Sequence, residues 1–123
     1  MQLEQTVFIV DDDSSVRQSL CALVTSNGVK ARAYDSAEQF LESGDYRTPG
    51  CVVTDIRMAG MSGFQLHAQL QHKGAEIPMI VITGFAESLA DHGLAGCHGI
   101  RLLEKTCSSE ELWNAIREAL GMS

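Results

Sequence analysis

"VFIVDDDSS", residues 7–15, runs four apolar residues straight into Asp11, Asp12 and Asp13. Three of the four are β-branched, and a short continuous apolar run of this kind reads as a strand buried on both faces. Neighbouring carboxylates about 4 Å apart repel by up to about 4 kcal/mol per pair in a surface-like dielectric. Negative charge collected at the tip of a buried strand therefore calls for a positive partner at the same place.

The pattern recurs. "CVVT" (51–54) and "MIVIT" (79–83) are equally apolar, and "VKARAY" (29–34) and "IRLLE" (100–104) are weaker candidates. Segments of helical spacing lie between them. Val16, Leu20, Leu23 and Val24 form a stripe that stops at Asn27-Gly28. "SAEQFLESG" opens on Ser36 with Gln39 three residues later, and "SSEELWNAIREALG" pairs Ser108 with Glu111; both spacings fit a capping box. "GFQLHAQLQHKG" carries Phe64, Leu66 and Leu70 before Gly74. Between 84 and 99 four glycines weaken the pattern, and a short, soft helix is expected around 87–95. Strands alternating with helices argue for repeated βα units with right-handed crossovers: an α/β, doubly wound parallel sheet with helices on both faces.

At 123 residues the chain fits one domain, with its core at about 6–120, and it can bury a core without staples. A net charge of −7 argues against direct nucleic-acid binding through a broad basic surface. Cys21, Cys51, Cys97 and Cys107 form no C-x-x-C pair, so free thiols in a reducing cytoplasm are expected. His92, Cys97 and His98 lack a fourth ligand at metal-site spacing. "MQLEQ" has no signal-peptide character, and no apolar stretch approaches the ~20 residues that cross a membrane.

In an open parallel sheet the binding crevice lies beyond the carboxyl ends of the strands. Asp11, Asp12 and Asp13 follow the first strand, Asp55 the third and Lys105 the fifth, while Thr83 ends the fourth. Several carboxylates at one rim make a hard-oxygen site suited to Mg²⁺ or Mn²⁺. Asp55 could then act as a nucleophile toward phosphorus, with Lys105 and the Thr83 hydroxyl on phosphoryl oxygens. Asp13 reads as a helix N-cap or a solvated acid rather than a third ligand. His67, His72 and His92 read as solvated, Trp113 as half-buried packing, and Gly60 and Gly63 as loop geometry near the metal.

The motifs "VFIVDDDSSVRQSL", "CVVTDIRMAGMSGFQL", "IPMIVITGF" and "LLEK" resemble the response-regulator receiver domain of bacterial two-component signalling, over about residues 6–120. "DIRMAGMSG" is close to the D-x-R-M-P-G-M-S-G of the subgroup usually joined to helix-turn-helix outputs. The resemblance implies the flavodoxin-like strand order 2-1-3-4-5. It implies Asp55 as phosphoacceptor, and Asp11, Asp12 and the backbone carbonyl of Arg57 as partners for Mg²⁺. Thr83 becomes the switch hydroxyl and Lys105 the phosphoryl-pairing lysine. The implied donor is a phosphohistidine on a sensor histidine kinase. The implied response is a shift on the face built from the fourth helix, fifth strand and fifth helix, controlling a DNA-binding output or a homodimer. Such a domain is not an enzyme, although it catalyses its own phosphorylation and dephosphorylation.

Four departures from the family stand out. Ala59 stands where proline is usual, which predicts a looser loop after Asp55. Thr106 stands where a proline, commonly cis, follows the lysine. A cis bond before a non-proline residue costs about 3–4 kcal/mol, so a trans bond or a different loop is expected there. Leu102 takes the place of the switch aromatic, and His98-Gly99 that of a Gly-Ala step. Two rival readings belong to other classes. A haloacid-dehalogenase-like phosphatase would use Asp11 of the Asp11-x-Asp13 pair as nucleophile. A degenerate pseudo-receiver would only bind proteins, without Mg²⁺-dependent uptake of beryllofluoride.

Overall fold

The computed structural model describes residues 4–84 and 99–122. Strands form where the sequence is apolar and β-branched: β1 (Thr6–Val10), β2 (Lys30–Tyr34), β3 (Gly50–Asp55), β4 (Met79–Thr83) and β5 (Ile100–Glu104). All pair in parallel, in the order β2-β1-β3-β4-β5. Every residue of β1 and β3 is buried, as expected of central strands in a covered parallel sheet. The two weak sequence candidates are the edge strands β2 and β5, whose exposed positions accept Lys30, Arg32 and Arg101. The β2 edge is tied down by Asp45, which meets Arg32 at 3.1 Å and the Tyr34 hydroxyl. Asp45 opens a 3-10 turn, Asp45–Arg47, that the sequence reading did not include.

Four helices are described: α1 (Ser14–Ser26), α2 (Ala37–Ser43), α3 (Gly63–His72) and α4 (Ser109–Ala119). The soft helix expected at 87–95, and His92, Cys97 and His98, lie outside the described residues. Alternation along the strands divides the core in two. Phe8, Val10, Val52, Met79 and Val81 face Phe40 of α2 and Leu66 and Leu70 of α3. Val7, Ile9, Cys51, Val53 and Ile80 face Val24 of α1 and Leu112 and Ile116 of α4. The chain moves from β1 out to β2 and then turns back past β1 to β3. Crossovers of one hand then put α1 on the face opposite α2 and α3, as observed. Trp113 packs half-buried on the second core, as expected. Cys21, Cys51 and Cys107 are free thiols, and burial pushes that of Cys51 up to about 12.

Helix starts follow the sequence with one exchange of detail. Asp13 caps α1, its Oδ1 accepting from the amides of Ser15 (2.8 Å) and Val16 (3.3 Å). Ser36 and Ser108 cap α2 and α4 by accepting from the Gln39 and Glu111 amides, each at 3.1 Å. The reciprocal capping box forms instead at the start of α3, between Ser62 and Gln65. One reading is corrected: His67 is not solvated but 5% exposed on the inner face of α3. Its Nδ1 is buried without a hydrogen-bond partner, and desolvation holds its pKa below the usual histidine value.

Candidate functional site

β1 and β3 are neighbours, yet the chain leaves them in opposite directions, β1 toward β2 and β3 toward β4. A crevice opens beyond the strand ends at such a switch point. Asp11 and Asp12 follow β1 directly, and Asp55 is the last residue of β3.

Asp11 is 5% exposed and held on three sides. Its amide donates to the Tyr34 carbonyl (3.2 Å), its Oδ1 accepts from the Asp13 amide (2.9 Å), and its carbonyl accepts from Arg17 Nη1 (2.7 Å). Burial raises the Asp11 pKa, the Asp13 amide opposes that, and the charges of Asp55 and Asp12 raise it further. The opening stretch thus does what its charge suggested: its acids repel one another and an acid from another strand.

Asp55 is 8% exposed. Its Oδ1 accepts from the Arg57 amide at 3.1 Å, and its Oδ2 pairs with Lys105 Nζ at 2.9 Å. The Lys105 pKa is raised, first by its hydrogen bond to Asp55, then by the Asp55 charge, with smaller contributions from Asp11 and Asp12. Lys105 is placed by two backbone bonds. Its own amide donates to the Thr83 carbonyl (2.7 Å), and the Cys107 amide closes a turn onto the Glu104 carbonyl (3.0 Å). Among the described residues no peptide bond is cis. The Lys105-Thr106 turn therefore delivers the lysine with trans geometry. Thr83 lies buried at the end of β4, joined to Lys105 through the backbone.

The loop between β3 and α3 presents alternate amides to three carboxylates. Arg57 N donates to Asp55 Oδ1 (3.1 Å), Ala59 N to Asp12 Oδ2 (3.0 Å) and Met61 N to Glu38 Oε1 (3.1 Å). Gly60 turns the loop with φ +82, a conformation that side chains resist. Gly63 starts α3 hard against β3, where a Cβ would lie 2.7 Å from the Asp55 carbonyl oxygen. Arg17, Glu38 and the Ala59 amide escaped the sequence reading. Arg17 and Glu38 are charged residues on helix surfaces with no distinguishing spacing, and a backbone amide leaves no mark in a sequence.

No three His, Cys, Asp or Glu side chains among the described residues are gathered as a ready metal cage. The donor set still fits Mg²⁺, which keeps several waters and takes one or two carboxylates rather than a full protein shell. A divalent cation would also supply the positive charge that Asp11, Asp12 and Asp55 lack beyond Lys105.

A parallel sheet of this order, with acids at its switch point and a lysine from its edge strand, defines a flavodoxin-like α/β domain with an acidic rim. Residues 7–117 match the family model for the response regulator receiver domain, and the chain belongs to that family. It is 34% identical over 118 residues to the transcriptional regulatory protein TdiR of Thauera aromatica, covering 96% of this chain and 52% of that protein. It is 36% identical over 117 residues to the transcriptional regulatory protein FixJ of Azorhizobium caulinodans, covering 95% and 56%. The chain thus spans about half the length of these relatives. The crystal structure of FixJ-N superposes with a TM-score of 0.85 at 36% identity, covering 98% of this chain and 96% of that one. Among the described residues no helix is long and apolar enough to cross a membrane.

Proposed function

We propose that this receiver domain accepts a phosphoryl group on Asp55 from a phosphohistidine of a sensor histidine kinase in the cytoplasm, with Mg²⁺ at Asp11, Asp12, Asp55 and the Arg57 carbonyl. The observation that carries the reading is the pairing of a buried strand-end carboxylate, Asp55, with Lys105 at 2.9 Å. A carboxylate oxygen of Asp55 attacks phosphorus, the P–N bond to the donor imidazole breaks, and the electron pair leaves with the imidazole. Lys105 meets charge on the incoming phosphoryl oxygens, and the Thr83 hydroxyl at the neighbouring strand end hydrogen-bonds another. Mg²⁺, when bound, would neutralise charge on the phosphoryl oxygens. The domain is a phosphoacceptor that catalyses only its own phosphorylation and dephosphorylation.

The modification then biases a two-state equilibrium on a surface that includes β5 and α4, controlling a homodimer or a DNA-binding output beyond this chain. That TdiR and FixJ are named as transcriptional regulators supports an output of this kind. The phosphatase reading through Asp11 finds less support, because the lysine pairs with Asp55. Incubation with Mg²⁺ and a small phosphodonor, followed by intact mass and site mapping, tests the proposal. One phosphoryl group on Asp55, absent from Asp55→Asn, is expected. Labelling on Asp11 would point to a phosphatase, and no labelling together with no beryllofluoride uptake would point to a pseudo-receiver.

A further inference from the structure

The loop after Asp55 contains a donor that a proline in its place would lack. Residue 59 is alanine, and its amide donates to Asp12 Oδ2 at 3.0 Å. Proline at this position, which has no N–H, could not make the bond. The backbone amides that hold the site's other acids come from near their own strands: Asp13 for Asp11 and Arg57 for Asp55. Asp12 differs. It is exposed, and the donor that holds it lies across the crevice on the loop that follows β3. The same loop is anchored a second time where Met61 N donates to Glu38 Oε1 of α2 at 3.1 Å. The Ala59 amide therefore sits on a segment fixed at Asp55 on one side and at α2 on the other.

We propose that the Ala59 amide is a positioning group for the cation site: it fixes the Asp12 carboxylate by one oxygen and leaves Oδ1 to face the metal. This rests on the cation site proposed above and adds to it the group that orders its one exposed carboxylate. Among the described residues Asp12 Oδ1 accepts no hydrogen bond, so it is the oxygen left to coordinate. Carboxylates that ligate metals are commonly hydrogen-bonded through their second oxygen, and loss of such a partner typically weakens metal binding about 10–100-fold. The effect acts on a hard cation that takes few protein ligands, so disorder in one of them is felt directly. The alanine thus tethers the loop to the acidic rim, where a slack loop was expected from the missing proline.

The test is a titration with Mn²⁺, read by the loss of free-ion EPR signal, on wild type, Ala59→Pro and Ala59→Gly. Glycine keeps the N–H and removes only a methyl group. Affinity is expected to fall about tenfold in Ala59→Pro and to stay near wild type in Ala59→Gly. Equal affinity in wild type and Ala59→Pro overturns the inference and leaves the cation site standing. Absence of Mn²⁺ binding in wild type overturns the cation site and this inference with it. Should Ala59→Pro fail to fold, hydrogen exchange of individual amides decides. In Asp12→Ala, protection of the Ala59 amide should be lost while that of Met61 persists, and unchanged protection at Ala59 would overturn the inference.

Discussion

Gly63→Ala sets two physical effects of opposite sign against each other. Gly63 is the first residue of α3, and its φ is not positive, so alanine can adopt its backbone conformation. On helix propensity alone alanine would stabilise, by up to about 1 kcal/mol in a helix interior and less at the first turn. The structure argues the reverse. A Cβ there would lie 2.7 Å from the Asp55 carbonyl oxygen, 3.2 Å from Thr54 Cγ2 and 3.3 Å from Ile56 Cα. Two of these atoms are backbone at the end of a fully buried strand, so they cannot swing aside. Overpacking of this kind typically costs about 1–3 kcal/mol. Net destabilisation of about 1–2 kcal/mol is expected after the propensity gain, a fall in Tm of several degrees for a domain of this size. Urea denaturation followed through Trp113, the only tryptophan of the chain, measures it. Because the displaced atom belongs to Asp55, the rate of labelling by a small phosphodonor should fall as well. An unchanged or raised midpoint would refute the close approach of α3 to β3.

Asp13→Ala should cost about 1 kcal/mol through loss of the α1 cap, whereas Asp13→Ser, which keeps an acceptor and also removes the charge, should lose only a few tenths; equal losses in urea would show that the cap is not what Asp13 provides. His67 has a folded-state pKa below its ordinary 6.5, so its contribution to stability is complete above that value and is lost as pH falls through the folded pKa. His67→Leu should therefore flatten the decline in urea midpoint below about pH 6.5, and identical pH profiles for the two proteins would contradict the buried, unpartnered placement of the imidazole. Phe40→Ala, in the cluster where Phe40 lies 5.4 Å from Phe8 and 5.3 Å from Tyr34 by ring centroids, should cost about 3–5 kcal/mol in calorimetric or denaturant unfolding; a loss below 1 kcal/mol would mean the core closes over the gap.

Legibility of the sequence tracked burial. β1, β3 and β4 are apolar on both faces because both faces are covered, and their spans were readable to within a residue or so. β2 and β5 were weaker because edge strands carry Arg and Lys at exposed positions. That Asp11, Asp12, Asp55, Thr83 and Lys105 lie at one end of the sheet was legible because each follows or ends an apolar run, and the switch-point rule brings strand ends together. What stayed hidden was cross-chain and conformational. The Asp45–Arg47 turn is fixed by contacts to Arg32 and Tyr34 of β2, and Glu38 reaches a loop 23 residues away. His67 misled because a histidine by residue type reads as solvated, while helical phase puts it with Leu66 and Leu70 on the inner face. The departures at 59 and 106 were visible as letters. Their consequences, a new amide donor and a trans turn that still delivers Lys105, depend on backbone geometry that no residue type encodes.

Paramagnetic broadening by Mn²⁺ in ¹⁵N-labelled protein asks most directly whether residues from two distant strands share one cation. The amides of residues 11–13 and 55–57 should broaden together, at one common midpoint, and excess Mg²⁺ should restore both sets. Broadening confined to one of the two segments, or separate midpoints for each, would contradict the account.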